Sequence, residues 1–157
     1  MNRIGFGYDI HPLVKKRKLV LGGVLIPFAR GLKGHSDADV VCHAVADALL
    51  GAAAMGDIGE HFPDTDEKYK DASSIDLLKK VGDIVKDSGF IINNIDAVII
   101  AENPKILPYK IEMMENICLA LGLEENRISI KATTHEKLGD IGKGKAMAAY
   151  AVAMVEK

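Results

Sequence analysis

Arg3-Ile4-Gly5-Phe6-Gly7-Tyr8-Asp9-Ile10-His11-Pro12 opens the chain on an apolar stretch that ends in two metal-ligating residue types. Arg3 to Tyr8 reads as a first β-strand. If the extended conformation continues, the period-two geometry turns Asp9 and His11 to the same side. His43 follows in an alanine-rich stretch that reads as a helix. One carboxylate and two imidazoles suit Zn²⁺, and three protein ligands leave a fourth position open for substrate or water. A closed structural zinc site would take a fourth ligand, usually cysteine. The motif alone is short, and an Asp-x-His pair with a distant His also arises without a metal.

Working outward, Lys18-Leu19-Val20-Leu21 and Val24-Leu25-Ile26 flank Gly22-Gly23, a two-residue hairpin signal, and Pro27 stops the second arm. Residues 28–35 read as a glycine-bearing loop. Ser36 or Asp37 is placed to cap a helix running to about Met55. Residues 56–66 are too rich in Gly, Pro and Asp for regular structure and form a loop or lid candidate. Ser73 or Ser74 caps a second helix with Ile75, Leu78, Val81 and Val85 on its apolar face, ended by Gly89. Ile91 to Ala101 reads as a long strand. Pro104 and Pro108 open a third helix whose apolar face is Leu107, Ile111, Met114, Cys118 and Leu121, closed by Gly122. Arg127 to Ala132 alternates as a strand, with Ile128 and Ile130 on one face. Lys143 to Val155, dense in alanine, reads as a final helix. The expected fold is α+β, a single domain spanning residues 1–157, with a mixed β-sheet and helices packed on one face.

The chain has 157 residues, enough for one domain with a sizeable core. Hydrophobic residues make up 48% and charges nearly cancel at a formal −2, which argues against a general affinity for nucleic acid. Aromatics at 5% and the lack of Trp argue against base-stacking platforms. No apolar run reaches membrane-spanning length, and Met1-Asn2-Arg3-Ile4 lacks the features of a signal peptide. Cys42 and Cys118 fall in helical apolar patterns and read as small buried hydrophobes. The expected compartment is a reducing cytoplasm.

Polar groups concentrate where strands end, the usual material of a site. His43 lies four residues from both Asp39 and Asp47. Either carboxylate would fix its tautomer by accepting the second imidazole N–H; the alternative is a solvated helix face. His35-Ser36-Asp37-Ala38-Asp39 lies at a helix N-terminus, where backbone N–H groups favour an anion such as phosphate; the alternative is a simple N-cap. Asp57, Asp64 and Asp66 suit polyol hydroxyls or a divalent ion, and equally suit turn chemistry. Thr133-Thr134-His135-Glu136 offers hydroxyls to phosphate and a carboxylate to Mg²⁺ or Mn²⁺, or is an ordinary strand exit. Lys105 is a phosphate partner or a surface lysine. No P-loop, Rossmann fingerprint or nucleophile elbow is present. The residues point to a metal-dependent enzyme acting on a phosphorylated polyhydroxy ligand.

Taken together, Gly7-Tyr8-Asp9-Ile10-His11, Gly34-His35-Ser36-Asp37-Ala38-Asp39 with His43, and Gly56-Asp57-Ile58-Gly59 leading to Phe62-Pro63-Asp64-Thr65-Asp66 closely resemble the 2-C-methyl-D-erythritol 2,4-cyclodiphosphate synthase family. Ala101-Glu102-Asn103-Pro104-Lys105 and Lys131-Ala132-Thr133-Thr134 with Glu136-Lys137-Leu138-Gly139 continue the resemblance from end to end. It implies a homotrimer, with sheets facing the centre and active sites at the subunit interfaces. The implied reaction joins the 2-phosphate of 4-diphosphocytidyl-2-C-methyl-D-erythritol 2-phosphate to its own β-phosphorus and releases CMP, in non-mevalonate isoprenoid biosynthesis. By matching position, Asp9, His11 and His43 hold Zn²⁺, and Glu136 helps a diphosphate-bridging Mg²⁺ or Mn²⁺. His35 and Thr134 match positions of transition-state stabilisation.

The same resemblance implies that Asp9, His11, His35 and Ser36 touch substrate. It assigns Asp57, Ile58 and Gly59, with Phe62, Pro63, Asp64, Thr65 and Asp66, to the methylerythritol. Ala101, Glu102, Asn103, Pro104, Lys105, Ile106 and Leu107, with Ala132, Thr133, Thr134, His135 and Glu136, fall to the cytidine diphosphate. Lys143 is counted with the substrate-binding positions. Two departures stand out. Gly139-Asp140-Ile141-Gly142-Lys143-Gly144 replaces a common Gly-Phe-x-Gly-Arg-Gly, whose Phe and Arg are linked to a central trimer cavity that binds isoprenoid diphosphates. Lys143 there offers a point charge instead of a bidentate fork. Glu102 stands where Gln is common. The rival readings are a metal-dependent phosphohydrolase and a non-catalytic trimer binding nucleotide or isoprenoid diphosphate.

Overall fold

The computed structural model describes residues 1–157. Strand β1 (Asn2–Lys15) runs well past the expected Tyr8, so Asp9 and His11 lie inside a strand instead of beyond its end. Pro12 does not stop it. Its carbonyl accepts from the Lys33 N–H at 2.9 Å, and proline has no N–H to leave unpaired. The hairpin forms as expected from β2 (Leu19–Leu21) and β3 (Val24–Ile26). Gly22 and Gly23 both sit at positive φ, +55° and +73°, as a two-residue hairpin turn demands. Part of the expected 28–35 loop is instead β4 (Arg30–Leu32), which continues the sheet beside residues 13–15 of β1.

Helix α1 (Val40–Ala53) is capped by Asp39, not by Ser36 or Asp37, and ends in a left-handed Ala54. The 56–66 segment holds a short helix α2 (Ile58–His61) capped by Asp57. A 3-10 turn at Glu67–Tyr69 precedes α3 (Ser74–Asp87). Strand β5 (Ile91–Ile100) follows. A second 3-10 turn, Leu107–Tyr109, leads into α4 (Lys110–Leu121), which Gly122 ends at φ +62°. The buried face of α4 is Met113, Ile117, Cys118 and Leu121; Leu107 and Ile111 are exposed. The expected stripe is therefore correct only at its C-terminal end. Strand β6 (Ile128–Thr133) buries Ile128 and Ile130 as expected.

The largest correction lies at the C-terminus. After a one-turn helix α5 (Gly139–Gly142), the residues expected to form a final helix form β7 (Ala146–Glu156). It is the central strand of a five-stranded sheet ordered β4-β1-β7-β5-β6, antiparallel except for the β5–β6 pair. Met147, Ala149, Ala151, Ala153 and Val155 alternate on its buried face. Alanine's helix propensity loses here because two flanking strands satisfy both edges of the backbone.

Small residues on both sides explain how α1 lies on this sheet. A Cβ at Gly5 would come within 1.9 Å of the Ala48 carbonyl oxygen, and one at Gly7 within 1.9 Å of that of Ala44. The backbones of α1 and β1 thus approach closely enough for His43 on one to meet Asp9 on the other. Helices α1, α3 and α4 cover one face of the sheet over a continuous apolar core. The other face carries Phe6, Tyr8, Ile10, Tyr150 and Val152, with Phe6 62% exposed. No helix is long and apolar enough to cross a membrane. Cys42 and Cys118 are free and buried.

Candidate active site

Asp9, His11 and His43 come together as the sequence reading requires, with one ligand atom from each within 4.8 Å of the others. Asp9 Oδ2 lies 3.2 Å from His11 Nε2 and 3.0 Å from His43 Nδ1. Hydrogen bonds fix which nitrogen of each ring carries its proton. His11 Nδ1 meets the Lys33 carbonyl at 2.8 Å; a carbonyl only accepts, so this nitrogen is the donor and Nε2 keeps its lone pair. On the other ring, His43 Nε2 is 2.9 Å from the Ser74 hydroxyl. That hydroxyl has one proton and gives it to the Asp37 carboxylate, so it accepts from His43 Nε2–H. His43 Nδ1 is then left with its lone pair toward Asp9.

Two imidazole lone pairs and a carboxylate oxygen therefore converge with no hydrogen between them. Such a set repels itself until a cation, either a metal ion or a proton, sits at its centre. The donor chemistry, N₂O with both outer nitrogens hydrogen-bonded, is that of a zinc-type site. In the metal-free protein a proton takes that place, held between His43 Nδ1 and Asp9 Oδ2. Burial pushes the Asp9 carboxyl up, but hydrogen bonds and charge from His11 and His43 outweigh it and hold it down at about 2. Burial pulls His43 down, and the hydrogen bond and charge of Asp9 outweigh this, leaving its pKa raised.

The expected role of Asp39 or Asp47 as partner of the outer His43 nitrogen is not what the fold gives. Asp39 is fully buried and its carboxylate accepts from the N–H groups of Gly22, Gly23, Val41 and Cys42. Asp47 accepts from Ile58 N–H at 2.8 Å, tying α2 to α1. Ser74 and Asp37 take the role instead. Ser74 resembles a helix cap in sequence, yet Ser73 occupies the cap position, which frees the Ser74 hydroxyl for His43.

A cavity of about 540 Å³ opens beside the triad, lined by His11, His35, Ser36 and His43, by Ile58, Gly59, Phe62, Pro63, Asp64 and Thr65, and by Tyr69 and Leu77. His35 Nε2 is buried there without a hydrogen-bond partner. Ser36 is buried, its hydroxyl 3.3 Å from His43 Nε2. Sequence reasoning did not single out Tyr69 and Leu77, which carry neither a metal-ligating group nor a charge for phosphate. It also missed Arg17, whose guanidinium donates to the Leu32, Gly34 and Ser36 carbonyls and so braces the His35 segment. Asp57 and Asp66 serve turn chemistry, capping α2 and the following 3-10 turn.

The remaining candidate residues form a second group at the carboxyl ends of β5 and β6. Ala101 N–H donates to the Thr133 carbonyl at 3.0 Å. The Asn103–Pro104 peptide is cis. Thr134 Oγ1 and the Glu136 carboxylate are 3.3 Å apart. Residues 131–140 are all exposed, and none of residues 101–107 or 132–136 lines the cavity beside the triad. One chain thus carries two separated groups of candidate residues. Lys143 is exposed just after α5 and belongs to neither.

The YgbB family model matches residues 2–156. The chain belongs to this family. A family member from Pelotomaculum thermopropionicum, a 2-C-methyl-D-erythritol 2,4-cyclodiphosphate synthase, is 57% identical over 155 residues, covering 99% of this chain and 96% of that protein. The bifunctional IspDF of Campylobacter jejuni superimposes with a TM-score of 0.95 at 46% identity, over 99% of this chain and 42% of that larger one. The CDP complex of Plasmodium falciparum IspF gives 0.86 at 36% identity, over 98% of this chain and 95% of that one.

Proposed function

We propose that the chain is a cyclodiphosphate synthase of isoprenoid biosynthesis, a phosphorus–oxygen lyase. It converts 4-diphosphocytidyl-2-C-methyl-D-erythritol 2-phosphate to 2-C-methyl-D-erythritol 2,4-cyclodiphosphate and CMP. The convergence of three metal-ligating atoms beside a cavity carries this reading, together with the near full-length likeness to proteins of that name.

Asp9, His11 and His43 would hold Zn²⁺, and Glu136 would help to hold Mg²⁺ or Mn²⁺. When bound, the two ions neutralise phosphate charge and polarise the attacked phosphorus. The chain's own residues orient and shield. His35 Nε2, with no protein partner, is free to hydrogen-bond a phosphate oxygen. Thr134 places a hydroxyl at the diphosphate. The 57–66 segment encloses the methylerythritol, and residues 101–107 with 132–136 take the cytidine diphosphate. The nucleophile is tethered to its target, so holding the substrate folded supplies most of what the reaction needs.

The assembly is a homotrimer. Its support is the pair of half-sites separated within one chain and the exposed apolar sheet face, both of which a neighbouring subunit completes. Incubation with the cytidylyl substrate, Zn²⁺ and Mg²⁺ yields CMP and the cyclic diphosphate in equal amounts, and a chelator stops both. Failure to release CMP overturns the assignment.

A further inference from the structure

Glu102 sits in the segment assigned to the nucleotide, but both of its carboxylate oxygens are turned to the backbone. Oε2 accepts from the His135 N–H at 2.9 Å and Oε1 from the Lys137 N–H at 3.0 Å. Between these two, the Glu136 N–H goes to Thr134 Oγ1 at 3.3 Å. Three successive amides are thus turned to acceptors within the chain. The backbone there is held in a conformation that side chains resist: Glu136 and Lys137 have φ of +50° and +61°, and neither is glycine. Successive N–H groups converging in this way form an anion-binding concavity. Here the anion is the chain's own carboxylate.

We infer that Glu102 is a positioning residue, whose carboxylate locks the 134–137 turn so that Thr134 and Glu136 face the diphosphate. This rests on the proposed reaction. A glutamine at this position keeps one acceptor oxygen and sets an NH₂ donor against the other N–H, so it holds the turn by one hydrogen bond instead of two.

Wild type, Glu102→Gln and Glu102→Ala separate the possibilities through turnover, CMP affinity and amide exchange at His135 and Lys137. A misplaced catalytic group costs on the order of 100-fold, so Glu102→Ala loses about that much kcat and the isosteric Glu102→Gln about tenfold. Both amides exchange faster in the variants by a similar factor, and the loss falls on kcat more than on CMP affinity, since each carboxylate oxygen is turned to a backbone N–H of the 135–137 segment. Wild-type kcat in both variants overturns the inference. So does a loss of CMP affinity that accounts for the whole loss of activity. If the wild type makes no cyclic product, the proposed reaction fails, and unprotected amides at His135 and Lys137 in the wild type overturn the lock itself.

Discussion

Asp9 and His43 titrate against each other in the metal-free protein, and the signs are opposite. Asp9 is held at about 2 against its ordinary 3.8, so its contribution to stability is complete above 3.8 and lost as pH falls toward 2. His43 is raised from 6.5, so its contribution is present below 6.5 and lost as pH rises through the higher folded value. The same proton competes with a metal. Zinc binding therefore releases protons and weakens as pH is lowered through the His43 titration, which calorimetry in buffers of different ionisation enthalpy reads directly. Ser74 sets the ring that takes part. Ser74→Ala removes the nearer acceptor for His43 Nε2–H, leaving only Ser36 Oγ at 3.3 Å, and lowers zinc affinity by roughly 10-fold. Competition with a chromophoric chelator measures it, and an unchanged affinity contradicts the hydrogen-bond assignment. The triad itself was legible as residue types at strand spacing. Its outer partners were not: Ser74 and Asp37 meet His43 only through tertiary packing, whereas Asp39 and Asp47 are its neighbours along the helix.

Elements place these residues by close backbone approach. A Cβ at Gly7 would meet the Ala44 carbonyl oxygen at 1.9 Å, so Gly7→Ala has to push α1 off the sheet. Overpacking of this kind costs about 3 kcal/mol, and it separates His43 from Asp9, so zinc affinity falls with stability. Gly51, also in α1, has no atom within 4 Å of where a methyl group would stand, and its φ is not positive. Gly51→Ala stabilises by about 0.5–1 kcal/mol. Urea unfolding of the two variants checks both signs. The same small residues explain the one element read as the wrong type. Alanine suits a helix on propensity, and the alternation of β7 is hidden because both faces carry small or apolar residues: Ala149, Ala151 and Ala153 on one, Tyr150 and Val152 on the other. Only pairing to β1 and β5 makes it a strand. In α4 the difficulty is an excess of apolar residues, since Ile111 and Met114 offer a second stripe beside Met113 and Ile117.

At the scale of the molecule, the sheet leaves Phe6, Tyr8 and Tyr150 stacked on its uncovered face, with Tyr8 and Tyr150 ring centroids 4.7 Å apart. A charge there opposes assembly. Val152→Arg is expected to shift the mass by light scattering from three times 16.9 kDa to the single value. Activity is lost with it, because the triad of one subunit and the Thr134–Glu136 turn of its neighbour no longer meet; an active monomer contradicts shared sites. The α+β class and the one-sided helices followed from segment order, but the distance between the triad and the 131–137 group within one chain did not, because spacing along a chain does not record separation in space.

In the proposed reaction the substrate's own phosphate, and not water, attacks the phosphorus. Mass spectrometry of the products formed in ¹⁸O-labelled water with Zn²⁺ and Mg²⁺ tests it most directly. The expected result is CMP and a cyclic diphosphate with no label in either; label in an open-chain methylerythritol bisphosphate, in CMP or in inorganic phosphate contradicts it and makes the protein a phosphohydrolase.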